Sequence, residues 1–167
     1  MEIRAVHPDE HRFLGELTVA AYRAINPGDH DGALDDYEAE LRDVAGRAAE
    51  AEVLVAVDGD GTVLGGVTYV PGHTSPSAEF SERDAAGIRM LAVDPEAQGR
   101  GVGEALTRAC IDRATAAGRA QLLLHSTPWM TTAHRLYVRL GFARDPGRDW
   151  EIEPGFVLRA FRLPLDA

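Results

Sequence analysis

The glycines at positions 99, 101 and 103 are the residues whose spacing most directly suggests chemistry. They lie in the segment VDPEAQGRGVGEAL, residues 93–106, between an apolar run and a long amphipathic stretch. The first N–H groups of a helix have no partner inside the helix, and the helix dipole places partial positive charge there. Glycine lets a phosphate approach that backbone without meeting a Cβ. The segment therefore predicts a phosphate-binding turn, with a tight strand-to-helix turn that binds nothing as the alternative.

Two common nucleotide-binding motifs do not fit these glycines. The dinucleotide fingerprint GxGxxG needs glycine at its sixth position, which is Glu104 or Leu106 depending on the starting glycine. The P-loop motif GxxxxGK[ST] needs a lysine, and the chain contains none. The phosphate must therefore belong to another kind of ligand.

A second motif, read together with the glycine segment, resembles a known family. Residues 98–103, QGRGVG, resemble the Q/R-x-x-G-x-G/A signature of the GNAT (GCN5-related) N-acetyltransferases, and the preceding RMLAVDP resembles that family's fourth strand. Residues 133–142, AHRLYVRLGF, resemble the family's A-x-x-L-Y-x-K/R-x-G-F segment at the expected distance. The resemblance implies an α/β (α+β) fold in a single N-acetyltransferase domain over residues 1–167. We expect a mixed, mostly antiparallel sheet of about seven strands flanked by about four helices.

The resemblance also implies a co-substrate, acetyl-CoA, held in a cleft where the fourth and fifth strands splay apart. Its pyrophosphate would meet the backbone of residues 98–103, and its pantetheine arm would pair like an added strand with residues 91–93. The Val93 N–H would face the thioester carbonyl as an oxyanion contact. The expected cofactor-binding residues are Leu91, Ala92, Val93, Gln98, Gly99, Arg100, Gly101, Val102 and Gly103.

Tyr137, in the second motif, is the candidate general acid. The reaction expels a thiolate, and the ordinary pKa of a thiol is about 8.5, against about 10 for a tyrosine phenol. A phenol close to the sulfur can donate a hydrogen bond or a proton as the C–S bond breaks. A tyrosine in an amphipathic helix is otherwise a core residue, so this role depends on the resemblance.

The base that accepts the amine proton is left open by the sequence. The candidates are a water chain or one of five side chains, Glu79, Glu82, Asp84, His73 and His125. Acids in such a loop are more often solvated charges than bases, and His125 is equally well explained as a satisfied buried histidine. No histidine or cysteine pattern has metal-ligand spacing, so we expect no metal.

Met130 departs from the family pattern, because many members have asparagine three residues before the alanine of the second motif. A hydrogen bond to the cofactor arm is either missing or supplied by Ser126, Thr127 or Thr131. We expect activity to be retained.

Hydrophobic periodicity predicts the elements that position these residues. A short strand opens the chain, helices follow over 11–25 and 33–50, and a hairpin surrounds residues 58–61. A strand ends at Val93, a helix covers 99–117, and a strand covers 120–126. A helix over 131–140 and two strands, 143–153 and 156–165, complete the chain. Choice of acceptor is expected to depend on residues 26–32, the second helix and residues 71–85, which the motifs do not cover.

The composition of the chain limits the classes of partner that it can bind. The net charge of −10 disfavours nucleic acid and anionic membranes, because phosphate contacts need clustered basic residues. We find no secretory signal and no apolar run of about 18 residues, which predicts a cytoplasmic protein. The many Ala, Gly, Arg and Asp residues and the absence of Lys suggest a bacterium with GC-rich coding. The single cysteine, Cys110, fits a reducing compartment and is expected to be a buried hydrophobe away from the cleft. A homodimer is possible on the resemblance alone.

The leading hypothesis is transfer of acetyl from acetyl-CoA to a primary amine, of a small molecule, by direct attack in a ternary complex. A competing hypothesis is a protein or peptide N-terminal acetyltransferase, which an open acidic groove would favour. Another is a non-catalytic module that binds acyl-CoA and releases no thiol. Acetylation of amines carried by tRNA is disfavoured by the net charge.

Overall fold

The fold is an open eight-stranded sheet with helices on both faces, as seen in a computed structural model that describes residues 1–25 and 33–165. In those residues the helices are α1 (His11–Ile25), α2 (Ala33–Arg42), α3 (Val44–Glu50), α4 (Val102–Ala116) and α5 (Thr131–Arg139). The strands are β1 (Glu2–Ala5), β2 (Glu52–Val57), β3 (Val63–Val70), β4 (Ala85–Val93), β5 (Gln121–Ser126), β6 (Ala143–Arg144), β7 (Trp150–Glu153) and β8 (Phe156–Pro164).

The strand order is β1-β2-β3-β4-β5-β8-β6, with β7 paired to the start of β8. Neighbouring strands are antiparallel except β4 and β5, which are parallel. The mixed, mostly antiparallel sheet expected from the resemblance is confirmed. No helix within residues 1–25 and 33–165 is both long and apolar enough to cross a bilayer.

The two halves of the sheet separate in the middle. Strands β4 and β5 pair only from Ala85↔Gln121 to Ile88↔Leu124, so the second half of β4 has no strand partner on the β5 side among the described residues. Within that half, Met90 has a positive φ of 54°, and the pairing of β3 with β4 shifts register at this position. An extra residue of this kind bends a strand away from its neighbour. The expected splaying of these strands is therefore present, and it begins at a β-bulge.

Side chains that alternate along β2 place the core on both faces of the sheet. Val53 and Val55 pack with Leu14 and other residues of α1, whereas Leu54 and Ala56 pack in the cluster that contains residues of α4 and α5. The period of two residues in a strand sends successive side chains to opposite faces. Consequently α1 lies on one face of the β4–β5 gap, and α4 and α5 lie on the other.

Three predicted elements differ from the structure. The helix predicted over 33–50 is two helices, because Asp43 leaves helical geometry (φ −80°, ψ 64°) and its carboxylate accepts a hydrogen bond from Gly46 N–H. The helix predicted from residue 99 begins at Val102, because Gly99 and Gly101 have positive φ. The strand predicted over 143–153 is two short strands separated by a 3-10 turn at Pro146–Arg148.

A buried arginine ties α2 and α3 to the sheet. Arg47 is 6% exposed, and its guanidinium donates to Thr68 Oγ1 and to the carbonyls of Glu40 and Leu41. Carbonyls near the end of a helix lack partners inside the helix, so these bonds satisfy groups that would otherwise be buried unpaired.

Candidate active site

A cleft of about 480 Å³ opens where β4 and β5 separate, bounded by β4, the start of α4, α5 and the end of α1. Eight of the nine predicted cofactor-binding residues line it: Leu91, Ala92, Val93, Gln98, Gly99, Gly101, Val102 and Gly103. Arg100, the ninth, is exposed and is not part of the lining that the described residues form. The fold thus brings residues of β4 and of the glycine segment together around one cleft.

Two of the three glycines adopt a conformation that other residues rarely adopt. Gly99 has φ 80° and Gly101 has φ 78°, and Gly101 is the N-cap of α4. A Cβ added at either position would have no atom of the described residues within 4 Å, so this space is open to a ligand. Gly103 differs, because a Cβ there would lie 3.4 Å from Leu136 Cδ2. The glycines therefore make an open cradle at residues 99–101 and a close packing contact at residue 103.

The start of α4 presents unpaired backbone donors to this cradle. The first helical hydrogen bond runs from Ala105 N–H to Gly101 carbonyl, so the N–H groups of residues 102–104 precede the helical ladder. Glu104 also lines the cleft, and its carboxylate pairs with Arg108 at 2.9 Å. That pair offsets the acidic charge of Glu104 in the first turn, and the positive end of the helix dipole remains available to an anion.

The direction of the Val93 N–H follows from the pairing of the next residue. Asp94 N–H donates to Leu64 carbonyl at 2.9 Å, which points it toward β3. Backbone groups of successive residues in a strand point to opposite edges. The Val93 N–H therefore points toward the β5 side, where β5 has separated and the cleft lies.

Tyr137 lies behind the cleft wall. Its side chain is 3% exposed, and its ring packs at a tilt on Phe142 and Phe161. Burial, followed by the charge of Cys110, holds the pKa of the Tyr137 phenol well above its ordinary value, so the phenol keeps its proton. Tyr137 is absent from the lining formed by the described residues, although Leu136 beside it is present.

Tyr22 of α1 is a lining residue that the sequence analysis missed. Its pKa is raised well above the ordinary value by burial, then by the charges of Tyr37 and Tyr137. The pattern of α1 indicated only a core-facing helix, and a tyrosine on such a face gives no separate signal of a site.

Other lining residues lie on α5 and just before it. Met130 lines the cleft, where the family often has asparagine, and Thr132 and Arg139 line it as well. Ser126, expected as a substitute hydrogen-bond donor to the cofactor arm, instead hydrogen-bonds to His134, with Ser126 Oγ and His134 Nε2 3.0 Å apart. Arg139 stands at the K/R position of the second motif, which was the available signal for it.

The five candidate bases are spread along the sheet. Glu79 pairs with Arg89 at 3.0 Å, and both line a small cavity with His125 at the point where β4 and β5 begin to separate. His125 Nε2 lies 2.8 Å from Arg148 carbonyl.

The remaining candidates lie farther from the cleft or are already paired. Glu82 pairs with Arg148, and Asp84 accepts a hydrogen bond from Gln121 at 2.8 Å. Asp84 precedes β4, about 30 Å of strand from Val93. His73 follows Gly72, where an added Cβ would lie 3.1 Å from Arg119 Nη2, and Arg119 donates to the Arg83 carbonyl at that same end of the sheet. Residues 26–32, expected to influence acceptor choice, lie outside the described residues.

Cys110 is fully buried in the core cluster between α4 and the sheet, as predicted. Burial raises the pKa of its thiol to about 12. A thiol that stays protonated and inaccessible cannot act as the nucleophile of a covalent intermediate.

Comparisons with known proteins identify the family. Residues 8–142 match the model of the Acetyltransferase (GNAT) family. Mycothiol acetyltransferase of Saccharopolyspora erythraea is 31% identical over 123 residues, which are 74% of this chain and 38% of that protein. The chain thus spans about two fifths of the length of this curated relative (38%).

Solved structures of the family share the whole fold. A GCN5-related N-acetyltransferase from Kribbella flavida has a TM-score of 0.69 at 25% identity and covers 98% of this chain and 97% of its own. The structure of yncA from Salmonella typhimurium with its cofactor acetyl-CoA has a TM-score of 0.67 at 23% identity and covers 100% and 95%. The family match over 8–142 and these similarities establish that the chain belongs to the GNAT acetyltransferase family.

Proposed function

We propose that this chain is a single-domain N-acetyltransferase, residues 1–167, that transfers acetyl from acetyl-CoA to the primary amine of a small molecule. One observation carries the proposal: the Val93 N–H, which points toward the β5 side, and the open glycine cradle face the same cleft. An acyl thioester with a pyrophosphate needs both features, since the first can bind a carbonyl oxygen and the second can bind phosphate.

The cleft residues fit acetyl-CoA along its length. The space beside Gly99 and Gly101 admits a pyrophosphate, with the N–H groups at the start of α4 as donors. The unpaired edge of β4 at residues 91–93 can bond to the amide groups of a pantetheine arm as a strand would. Arg139 and Gln98 line the same cleft and supply polar contacts.

The reaction is direct attack of the amine nitrogen on the thioester carbonyl carbon. A C–N bond forms and the C–S bond breaks, with the carbonyl oxygen bound by Val93 N–H while it carries negative charge. Tyr137 donates a hydrogen bond to the departing thiolate, since its raised pKa opposes full loss of its proton. The amine proton passes to a base or to water, and a proton from there converts the thiolate into the thiol. The products are an amide and CoA thiol. Glu79 and His125 are the base candidates that border the separation of β4 and β5.

A second candidate concerns the acceptor. Mycothiol acetyltransferases match up to 81% of this chain at about 30% identity, which favours an acceptor related to theirs. A peptide N-terminus as the acceptor and an acyl-CoA-binding module without turnover compete with this function, and each predicts a different result in the assay below. A homodimer is a further proposal that depends on the family alone.

The test is thiol release from acetyl-CoA across amino acids, amino sugars, polyamines, arylalkylamines and short peptides, with acetyl-CoA binding measured by calorimetry. Thiol release with one class of amine supports the proposed acetyl transfer and identifies the class of acceptor. Release only with peptides favours the N-terminal acetyltransferase. Tight binding with no release from any acceptor favours the non-catalytic module, and no binding refutes the proposed role of the cleft.

A further inference from the structure

A second cavity, of about 60 Å³, adjoins the cleft on the α1 side of the sheet. Tyr22 and Ile25 line both the cavity and the cleft, so the two spaces share a wall. The cavity also includes Tyr37 of α2, Trp129 after β5, and Phe156 at the start of β8. None of its described lining residues belongs to either family motif. We refer to this space as the aromatic pocket.

Four rings form the walls of the aromatic pocket in two pairs. Tyr22 and Tyr37 have ring centroids 5.9 Å apart at 60°, and Trp129 and Phe156 have centroids 5.2 Å apart at 51°. Tilted pairs at these distances are favourable for aromatic rings. The pairs come from different elements, α1 with α2 on one side and the β5 and β8 segments on the other.

The charges at the pocket neutralise each other. Among the described lining residues, Arg23 and Glu38 are the charged pair, with Arg23 Nε and Glu38 Oε1 2.6 Å apart. Arg42 adds a second contact to Glu38 at 3.7 Å. The hydrogen bond from Arg23 holds the pKa of Glu38 below its ordinary value, so this carboxylate stays charged and paired. A ligand group with its own charge gains little here, whereas an apolar group can contact the rings.

The volume limits the size of that group. A space of about 60 Å³ holds roughly four to six water-sized groups, since about 10–15 Å³ of such space admits one water. A phenyl ring or a branched alkyl group fits this range. A hydroxylated sugar ring of similar size would lose its hydrogen bonds to water and find mostly rings in return.

We propose that the aromatic pocket binds the apolar group of the acceptor, so that the acceptor is an arylalkylamine or a branched alkylamine. This inference rests on the proposed acetyl transfer. The apolar group contacts Tyr37, Trp129 and Phe156, and the amine lies at the Tyr22 and Ile25 wall, from which it reaches the thioester in the cleft. Amino sugars and polyamines are poor acceptors on this assignment.

The first test reads binding directly, without turnover. The chain has two tryptophans, so Trp150→Phe leaves Trp129 as the fluorescent reporter in the pocket. The protein, saturated with CoA, is titrated with 2-phenylethylamine, isoamylamine, glucosamine and putrescine. We expect a saturable change in emission with the first two and dissociation constants at least about tenfold lower than for glucosamine or putrescine. Equal or tighter binding of glucosamine or putrescine, or no binding of any amine, overturns the proposal.

The second test uses matched phenylalanines. Phe156→Ala should weaken 2-phenylethylamine binding about tenfold, whereas Phe13→Ala, at a site 53% exposed on α1, should leave it unchanged. Phe156→Leu keeps apolar area without the flat ring, and should reduce the preference for 2-phenylethylamine over isoamylamine. Calorimetry with acetyl-CoA reports whether each variant is folded. Wild-type amine affinities in both Phe156 variants refute the assignment.

Thiol release separates this proposal from the proposed function. If the aryl amine binds but no amine releases thiol from acetyl-CoA, the transfer proposal fails and the aromatic pocket stands as a binding site. If thiol is released only with amino sugars or polyamines, the transfer proposal stands and the aromatic pocket assignment fails.

Discussion

Gly101→Ala tests whether the glycine turn at the start of α4 binds a ligand or only allows the tight turn between strand and helix. Gly101 has φ 78°, and a Cβ there meets no atom of the described residues within 4 Å. The substitution therefore creates no clash with them in the free protein. Its cost is the left-handed backbone of an alanine, about 1–2 kcal/mol. A phosphate held by the adjacent N–H groups would meet the new methyl group, so acetyl-CoA affinity should fall by at least about tenfold, or ~1.4 kcal/mol.

Gly118→Ala is the matched control at the other end of the same helix. Gly118 has φ 71°, and an added Cβ there also has no described atom within 4 Å. Urea unfolding should show the same loss of about 1–2 kcal/mol in both variants. Calorimetry should show weaker acetyl-CoA binding in Gly101→Ala alone. If the two variants bind acetyl-CoA within twofold of each other, the turn does not hold the phosphates and the reasoning is refuted.

Three further predictions concern single side chains. Tyr137→Phe keeps the buried ring, so acetyl-CoA affinity and stability should be unchanged while kcat falls about 10²-fold or more; wild-type kcat would remove Tyr137 from the mechanism. Because the pKa of Cys110 is raised in the folded chain, the protonated thiol contributes fully to the free energy of unfolding below about pH 8.5, the ordinary thiol pKa. That contribution is lost progressively as pH rises toward about 12. Between about pH 8 and pH 10, the free energy of unfolding of the wild type in urea should therefore fall by about 2 kcal/mol more than that of Cys110→Ala, and equal falls would contradict the buried-thiol explanation. Arg47→Met leaves buried carbonyls unpaired and should lower the free energy of unfolding by at least about 2 kcal/mol, which an unchanged urea midpoint would disprove.

The sequence indicated which residues of β4 and of the glycine segment line the cleft, because this part of the cleft is built from backbone. The positive φ at positions 99 and 101 requires glycine, and the strand that ends before them is visible in the sequence as an apolar run. Both features are local and leave a direct trace in residue types. The helix boundaries were less accurate, since the same two glycines lie before α4 and not inside it.

The aromatic pocket could not be predicted in this way. Tyr22, Tyr37, Trp129 and Phe156 come from four separate segments and meet only after the sheet has formed. Each one alone is typical of a core residue, so its type and spacing carry no sign of a shared pocket. The break of the second helix at Asp43 was also missed, because an aspartate inside a helical pattern is both a possible cap and an ordinary exposed residue.

The free edge of β4 has a consequence for the lifetime of the protein as well as for its chemistry. Parallel pairing between the two half-sheets is limited to four residue pairs, from Ala85↔Gln121 to Ile88↔Leu124. A ligand that pairs with residues 91–93 binds the folded chain and not the unfolded one, and at a concentration of about 100 times its dissociation constant it adds about 2.7 kcal/mol to the free energy of unfolding. Stabilisation of that size lowers the unfolded fraction about a hundredfold and slows degradation that acts on unfolded chains. The abundance of this protein would therefore rise and fall with the concentration of the ligand that pairs with this edge of β4.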